Sequence, residues 1–277
     1  MAYEKECMKG KADMITSSAN KGVKEVIQLE QKAKVRRERG LFVVEGIKMF
    51  LEAPIDMIEK VYVAENFPKQ MPASCKDKLE ALSSCYELVS DEVFSKMSDT
   101  KTPQGILCVM RQNQYNLESM FTVSNPMFII LEDIQDPGNL GTIFRAAEGA
   151  GAAGVIMSSD TVDIYNPKTI RSTMGSVYRM PFIYAQNLDI IIEEMQKRKI
   201  AVYAAHLQGA KEYDTCDYKS GTAFLIGNEA NGLKDETAKK ADIAIKIPMA
   251  GKVESLNAAV AASVLMYEAA RQRRWKG

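Results

Sequence analysis

The stretch FIILEDIQDPGNLGTIFRAAEGAG, residues 128 to 151, decides the fold class of this chain. It opens with a continuous apolar run and ends in a segment whose apolar residues have helical spacing. Pro137 and Gly138 predict the turn between the two. Asn139 is predicted to cap the helix, which places Arg145 about one and a half turns inside it. A strand that is apolar at successive positions is typical of a parallel sheet covered on both faces.

Five further apolar runs follow, most of them separated by helical patterns: GVIMSS (154 to 159), PFIYA (181 to 185), IAVYAAH (200 to 206), TAFLIG (222 to 227) and IAIKIP (243 to 248). This alternation predicts an α/β domain with a mostly parallel sheet over residues 126–277. The last helix is expected to run from Ser255 to about Arg274. Its apolar residues predict one buried stripe, formed by Leu256, Val260, Val264 and Tyr267.

The preceding chain predicts a second, smaller α/β domain over residues 1–111. Residues 15–40 are expected to form an amphipathic helix followed by a basic turn. Short apolar runs follow at 41–46, 61–65, 86–90 and 105–110. Residues 112–125 are polar, contain three asparagines and are interpreted as the linker. A length of 277 residues fits two domains.

The charges of the chain cancel, with 36 Lys and Arg against 36 Asp and Glu. A net charge of zero excludes a global attraction to nucleic acid or to a membrane, so any site for a polyanion must be local. Lys21–Gly40 is such a local segment, because it carries seven basic and three acidic residues and has a net charge of +4.

Composition also bears on the compartment and on metal binding. The longest apolar stretch, Ala258–Tyr267, is shorter than the roughly 18 residues of a membrane span, and the first eleven residues lack the apolar segment of a secretory signal. Five cysteines without CxxC spacing predict reduced thiols in a cytoplasmic protein. His206 is the only histidine and is interpreted as a structural residue that closes a strand, so no metal is expected.

Three loops follow apolar strands, at the edge where open parallel sheets bind their ligands. They are residues 136–151, GNEANGL (227 to 233) and IPMAGKVESLNAAVAA (247 to 262). Each loop alone is explained by a turn or a capped helix, with Ser255 as the expected cap of the last helix. Asn257, in an otherwise apolar helix start, is expected to need a hydrogen-bond partner. No strand is followed by GxGxxG and no GxxxxGK[ST] occurs, which disfavours a nucleotide-dependent oxidoreductase and a P-loop protein.

Taken together, the three loops resemble the three motifs of the SpoU (TrmH) family of RNA ribose methyltransferases, in the SPOUT superfamily. The first motif is matched by Asn139, Gly141 and Arg145, and the second by Gly227, Asn228, Glu229 and Gly232. The third is matched by Ile247, Pro248, Met249, Gly251, Ser255, Leu256 and Asn257. The segment NPKTIRSTMGS (166 to 176) also looks like a helix of the family, with Arg171 and Gly175 in place. RRERGLFVVEG (36 to 46) is similar to the family's RNA-substrate-binding domain, a ribosomal-protein-like α/β sandwich.

The resemblance implies a C-terminal trefoil knot, which chain-topology rules alone would never predict, and a homodimer that uses S-adenosylmethionine to methylate a ribose 2′-hydroxyl of RNA. The cofactor contacts it implies are Leu225, Gly227, Asn228, Ile247, Met249 and Leu256. The catalytic residues it implies are Asn139, Arg145, Glu229, Ser255 and Asn257. RNA contacts are expected at Lys34, Arg36, Arg37, Arg39 and Arg171.

Methyl transfer to a hydroxyl is an in-line displacement in which positioning supplies much of the rate. Two roles are compatible with Arg145: it clamps the target phosphate and polarises the hydroxyl, or it deprotonates transiently with phosphate help. We favour the clamp, because a guanidinium holds its proton strongly and is a poor base. Ribosomal RNA is the preferred substrate, with transfer RNA or a non-catalytic role in RNA binding or ribosome assembly as alternatives.

Overall fold

A computed structural model describes residues 14–69 and 71–274, which fall into two compact units. The first unit extends to Asn113 and also takes in Tyr165–Tyr178, and the second comprises Gln114–Ile164 and the chain from Arg179 onward. Cys7 lies outside the described residues. Cys75, Cys85, Cys108 and Cys216 are free thiols. Within the described ranges, no helix has the length and apolar character needed to cross a membrane.

The first unit is built on a four-stranded sheet of β1 (Leu41–Glu45), β2 (Ile58–Ala64), β3 (Tyr86–Val89) and β4 (Ile106–Arg111) in the order β1-β4-β2-β3. Only the β2–β3 pair is parallel. The helices are α1 (Lys21–Gln31), α2 (Ala33–Arg39), α3 (Ile47–Glu52), α4 (Ala73–Ala81) and α5 (Asp91–Met97). The amphipathic α1 buries Val23, Val26 and Leu29. The predicted basic turn is the helix α2, which ends at Gly40 in the left-handed conformation.

The prediction that all four basic residues of α2 contact RNA is wrong at Arg36. Its side chain is buried, with 3% of the residue exposed. Nη1 donates to the carbonyl oxygens of Leu29 at 2.6 Å and Glu30 at 3.0 Å. Carbonyls in the last turn of a helix lack partners within that helix, and Arg36 supplies them for α1. This guanidinium therefore belongs to the interior of the unit.

The second unit contains a seven-stranded sheet in which every paired strand is parallel. Its strands are β5 (Met127–Leu131), β6 (Gly154–Ser158), β7 (Phe182–Ala185), β8 (Ala201–Ala205), β9 (Lys211–Glu212), β10 (Thr222–Ile226) and β11 (Ile243–Lys246). Their order is β7-β6-β5-β10-β8-β11-β9. The helices are α6 (Pro137–Ala150), α7 (Pro167–Thr173), α8 (Leu188–Lys197), α9 (Asp235–Ala238) and α10 (Ala258–Arg274), of which α7 clusters with the first unit. The predicted parallel α/β domain is confirmed, and the trefoil knot stays a prediction from the resemblance.

The last helix differs from its prediction in both its start and its buried face. It begins at Ala258, three residues later than expected, and Asn257 is its cap, since Oδ1 accepts from the N–H groups of Ala259 and Val260. Val260 and Tyr267 are each 47% exposed. The buried face is made of smaller residues together with Leu265 and Met266: Ala258, Ala259, Ala262, Ala269 and Ala270. Alanines allow this helix to pack closely on α6, whereas Val260 and Tyr267 of the predicted stripe remain exposed and Leu256 and Val264 are half-buried.

Two segments lie in other units than the sequence boundaries imply. Most of the expected linker, from Gln114 onward, belongs to the second unit, where Met120 is buried in the apolar core. Tyr165–Tyr178 clusters with the first unit. There the Tyr165 ring lies 4.5 Å from that of Phe42, and the Tyr178 hydroxyl donates to the Met49 carbonyl at 3.0 Å.

We expect Arg36→Ala to lower the free energy of unfolding of the first unit by about 2 kcal/mol, because two helix-end carbonyls lose a buried donor. Arg37→Ala is the matched control, since Arg37 is exposed and makes no hydrogen bond or ion pair among the described residues. Thermal and urea unfolding of both variants checks this, and equal stabilities would contradict a structural role for Arg36.

Candidate active site

The connection between β5 and α6 forms one wall of the site. The cap of α6 is Asp136 and not Asn139 as predicted, because Asp136 Oδ1 accepts from the Asn139 N–H at 2.8 Å. Pro137 occupies the first helical turn, where its missing N–H costs nothing. Asn139 is therefore inside the helix, and its amide is free to serve another segment.

Glu229 joins the second predicted loop to this connection. Its carboxylate accepts from the backbone N–H groups of Gln135 and Asp136, each at 3.0 Å. It also accepts from Asn139 Nδ2 at 3.0 Å. Burial opposes the charge of Glu229, but the hydrogen bonds from Asn139 and the two backbone donors outweigh it and hold the pKa of this carboxyl below its ordinary value.

Asn257 brings the third predicted loop to the same place. Its Nδ2 donates to Asn139 Oδ1 at 3.0 Å, which supplies the partner that the sequence demanded. The side chain is exposed, and its own Oδ1 caps α10. Glu229, Asn139 and Asn257 thus form one continuous hydrogen-bonded chain across three loops.

A cavity of about 400 Å³ opens beside these three hydrogen-bonded side chains, at the carboxyl ends of β8, β10 and β11. Five of the six predicted cofactor residues line it: Gly227, Asn228, Ile247, Met249 and Leu256. Leu225 does not, because its side chain is fully buried in the core of the sheet. Glu229 and Ser255 also line the cavity, so the polar chain and the cavity share a wall.

The loop of residues 227–233 is closed on itself by its backbone. Asn228 and Gly232 exchange two backbone hydrogen bonds, and Asn228 Oδ1 accepts from the N–H groups of Ala230 and Asn231. A Cβ atom added at Gly227 would lie 2.2 Å from the backbone of Gly232 and Leu233. Glycine is required at this position because the two ends of the loop touch there.

Two predicted catalytic residues make no hydrogen bond to Glu229, Asn139 or Asn257. Arg145 is exposed, and it makes no hydrogen bond or ion pair within residues 14–69 and 71–274. Ser255 is exposed at the cavity and is likewise without a hydrogen bond in the described part of the chain. Neither side chain is tied down, so each is available to a ligand.

The loop after β8 is a part of the cavity that sequence reasoning missed. His206, Leu207 and Gln208 line it, and His206 Nδ1 accepts from the Gln208 N–H at 3.2 Å. The sequence interpretation gave His206 only the role of closing a strand. The signal that could have found it is strand order, since β8 lies between β10 and β11 and its carboxyl end must face the same crevice. Among the described residues, no group of three His, Cys, Asp or Glu side chains is placed to hold a metal ion.

The remaining predicted RNA contacts lie in the first unit, on charged surface. Lys34 pairs with Glu38 at 3.8 Å, and Arg39 pairs with Glu25. Arg171 of α7 donates to Asp99 at 2.9 Å, with both side chains partly exposed. Such exposed pairs contribute little to stability and are readily exchanged for another anion.

The lowered pKa of Glu229 predicts how stability depends on pH. A carboxyl whose pKa is lower in the folded state stabilises the fold above its unfolded pKa of about 4.3, and this contribution is lost as pH falls through the folded pKa. Glu229→Gln should therefore destabilise the second unit at pH 7, by about 1 kcal/mol after allowance for solvent exposure.

Urea unfolding of both proteins at several pH values measures this difference, which should shrink below about pH 4. Glu193→Gln is the control, because Glu193 is exposed and makes no hydrogen bond among the described residues. A difference between wild type and Glu229→Gln that is constant from pH 3 to pH 7 would contradict the prediction.

Known proteins resemble both units. A family model described as the SpoU rRNA Methylase family matches residues 126–267, and a model described as the MRM3-like substrate binding domain matches residues 20–108. The 23S rRNA (guanosine(2553)-2'-O)-methyltransferase RlmP of Bacillus subtilis (strain 168) is 32% identical over 256 residues, which are 91% of this chain and 97% of that protein.

Solved structures agree with this match. The AdoMet-bound rRNA methyltransferase from Sinorhizobium meliloti is 34% identical with a TM-score of 0.80, and the alignment covers 94% of this chain and 97% of that one. The SpoU methyltransferase AviRb from Streptomyces viridochromogenes shares the fold, with 24% identity, a TM-score of 0.82 and coverage of 92% and 98%. The chain belongs to the SpoU rRNA methylase family.

Proposed function

We propose that this protein transfers the methyl group of S-adenosylmethionine to a ribose 2′-hydroxyl of ribosomal RNA. The observation that carries the proposal is the position of Glu229, which lines the cavity and is bonded to Asn139 of the first motif. One loop thereby joins a site for the methyl donor to a site for the methyl acceptor. Family membership and the activity named for the Bacillus subtilis relative support this assignment.

The cavity suits a small ligand with an uncharged hydrogen-bonding edge, such as an adenosine moiety. Its volume of about 400 Å³ lies in the usual range for small-molecule sites. Its walls combine apolar side chains, among them Met249 and Leu256, with backbone groups of the closed loop of residues 227–233. The donor supplies an electrophilic methyl on sulfur, and the walls of the cavity have to hold that methyl in line with the incoming oxygen.

The residues of the three motifs then divide the work on the ribose. Arg145, which has no partner among the described residues, clamps the phosphate of the target nucleotide and polarises its hydroxyl, as a planar guanidinium does well. Asn139 presents its amide edge beside Glu229, and Asn257 fixes the orientation of that amide. Ser255, exposed at the cavity, is available to hydrogen-bond the loop around the reacting atoms. The alternative role of Arg145, transient deprotonation, requires phosphate help and is the less favoured.

Ribosomal RNA is favoured over transfer RNA because the Bacillus subtilis relative, named for a 23S rRNA activity, aligns over 91% of this chain, including the first unit. With ribosomal RNA as the substrate, we also propose that the protein acts in the cytoplasm. A non-catalytic RNA-binding role is disfavoured, since Asn139, Glu229 and Asn257 form a bonded chain beside a cavity that simple RNA binding does not need.

We also propose a homodimer, as the family resemblance implies. Val260 and Tyr267 on α10 leave apolar surface exposed, and the Tyr267 hydroxyl lies over Gly149 of α6. A second copy of the chain would cover this face. Light scattering of the purified protein measures the mass in solution and tests the assignment.

Two substitutions should separate donor binding from transfer. Arg145→Ala should abolish methyl transfer while S-adenosylmethionine binds with its affinity unchanged, because the arginine acts on the RNA. Gly227→Val should weaken binding of S-adenosylmethionine, because its side chain forces Gly232 and Leu233 away. Calorimetry and a transfer assay check both, and a loss of more than about tenfold in affinity for Arg145→Ala would contradict the division.

The basic surface of the first unit should dominate the salt dependence of RNA binding, because phosphate contacts release counterions. The three exposed residues among the RNA contacts predicted in Lys21–Gly40 are removed together, as Lys34→Ala, Arg37→Ala and Arg39→Ala, which should flatten the slope of log affinity against log salt. The matched control removes three exposed lysines of the second unit, Lys197, Lys219 and Lys239. Equal slopes for wild type and the first triple variant would show that the RNA is held elsewhere.

A further inference from the structure

Glu132 is a buried carboxylate that the motifs and the proposed chemistry leave unassigned. It directly follows β5, and only 4% of the residue is exposed. Oε2 accepts from the backbone N–H of Lys234 at 2.8 Å, and Oε1 accepts from the hydroxyl of Thr237 at 2.5 Å. A buried charge is retained only where it is well hydrogen-bonded, and here both partners lie just beyond the loop of residues 227–233.

The helix α9 explains why the carboxylate is needed there. Lys234 is the residue before α9, and its side chain makes no capping hydrogen bond. Glu132 therefore holds the start of α9 from a different segment, together with the ion pair between Lys234 and Asp133 at 2.7 Å and the packing of the buried Leu233. The end of the loop is fixed to the end of β5.

The start of the loop is fixed to the next residue of the same strand end. Asn228 Nδ2 donates to the Asp133 carbonyl at 2.7 Å. Asp133 is itself held in the left-handed region, with φ at 57°, by a hydrogen bond from its N–H to Ser158 Oγ at 2.8 Å. Both ends of a loop that is closed on itself are thus tied to two consecutive residues.

We infer that Glu132 is a positioning residue for methyl transfer, which keeps the loop of residues 227–233 in the orientation that forms the cavity wall and delivers Glu229 to Asn139. The inference rests on the proposed function, because it takes the cavity as the site of the methyl donor. Glu132 lies outside the cavity lining and acts through Lys234 and Thr237.

The test compares Glu132→Leu with Glu132→Gln. Leucine leaves the Lys234 N–H and the Thr237 hydroxyl unpaired, so we expect affinity for S-adenosylmethionine to fall about tenfold and kcat to fall as well. Glutamine can keep both hydrogen bonds. Its side-chain oxygen accepts from the Lys234 N–H, and its NH₂ group donates to the Thr237 hydroxyl oxygen once that hydroxyl rotates. This variant should remain within about threefold of wild type in both quantities.

Glu236→Leu is the matched control, because it makes the same substitution on α9 at an exposed residue without a hydrogen bond in the described part of the chain. A merely structural role for Glu132 would lower the Tm and leave kcat and donor affinity of the folded protein unchanged. RNA affinity, held by the first unit, should stay constant in every variant.

Wild-type donor affinity and kcat in a folded Glu132→Leu protein would overturn the inference, and so would a Glu132→Gln protein as impaired as the leucine variant. Where Glu132→Leu does not fold, Thr237→Val removes one of the two bonds and should still weaken donor binding measurably; unchanged binding then overturns the inference. Failure of the proposed function is seen separately, as a Gly227→Val protein that binds S-adenosylmethionine normally.

Discussion

The site depends on the hydrogen bonds that the Glu229 carboxylate accepts from Gln135 and Asp136, because they join two loops that are nearly a hundred residues apart in sequence. The contact exists only because β10 pairs with β5 in parallel, with Ile226 opposite Leu131. Both strands then end at the same level, and the loops that leave them meet. The hydrogen bond between Glu229 and Asn139 and the position of the loop of residues 227–233 in the cavity wall follow from this pairing.

The first unit raises a different electrostatic question, because a chain without net charge has to attract a polyanion. Its basic helices carry acidic partners, with Glu38 against Lys34 and Glu25 against Arg39. Exposed pairs of this kind are worth at most about 1 kcal/mol, so a phosphate can replace the carboxylate at little cost. These paired basic groups therefore remain available to another anion, and the buried Arg36 takes no part in this exchange.

The sequence predicted strands and loop edges well, because continuous apolar runs depend only on local composition. The motif residues that meet, Asn139, Glu229 and Asn257, were identified by the resemblance, whose motifs name them without their contacts. Helix caps were wrong at Asn139 and Ser255, since Asp136 and Asn257 are equally good caps by residue type and only tertiary contacts choose between them.

Burial was the second kind of error, and it also has a tertiary cause. Arg36 was grouped with its basic neighbours because charge alone gives no direction to a side chain, whereas the unpaired carbonyls at the end of α1 draw it inward. On α10, the size of Val260 and Tyr267 suggested a buried stripe, but close packing on α6 selected the alanine face. The cavity wall at His206 required the strand order, which no local pattern contains.

The hydrogen bonds that link Glu229, Asn139 and Asn257 permit only one orientation of the two amide groups. A carboxylate only accepts, so Asn139 must turn its Nδ2 toward Glu229 and its Oδ1 away. Asn257 must then donate its Nδ2 to that oxygen, which leaves its Oδ1 for the N–H groups at the start of α10. Aspartate at either position would lack the donor, and at position 139 it would also add a like charge beside Glu229. The two amides are therefore fixed by the groups at the two ends of this hydrogen-bonded series, a carboxylate and a helix N-terminus, and the amide of Asn139 has one fixed orientation.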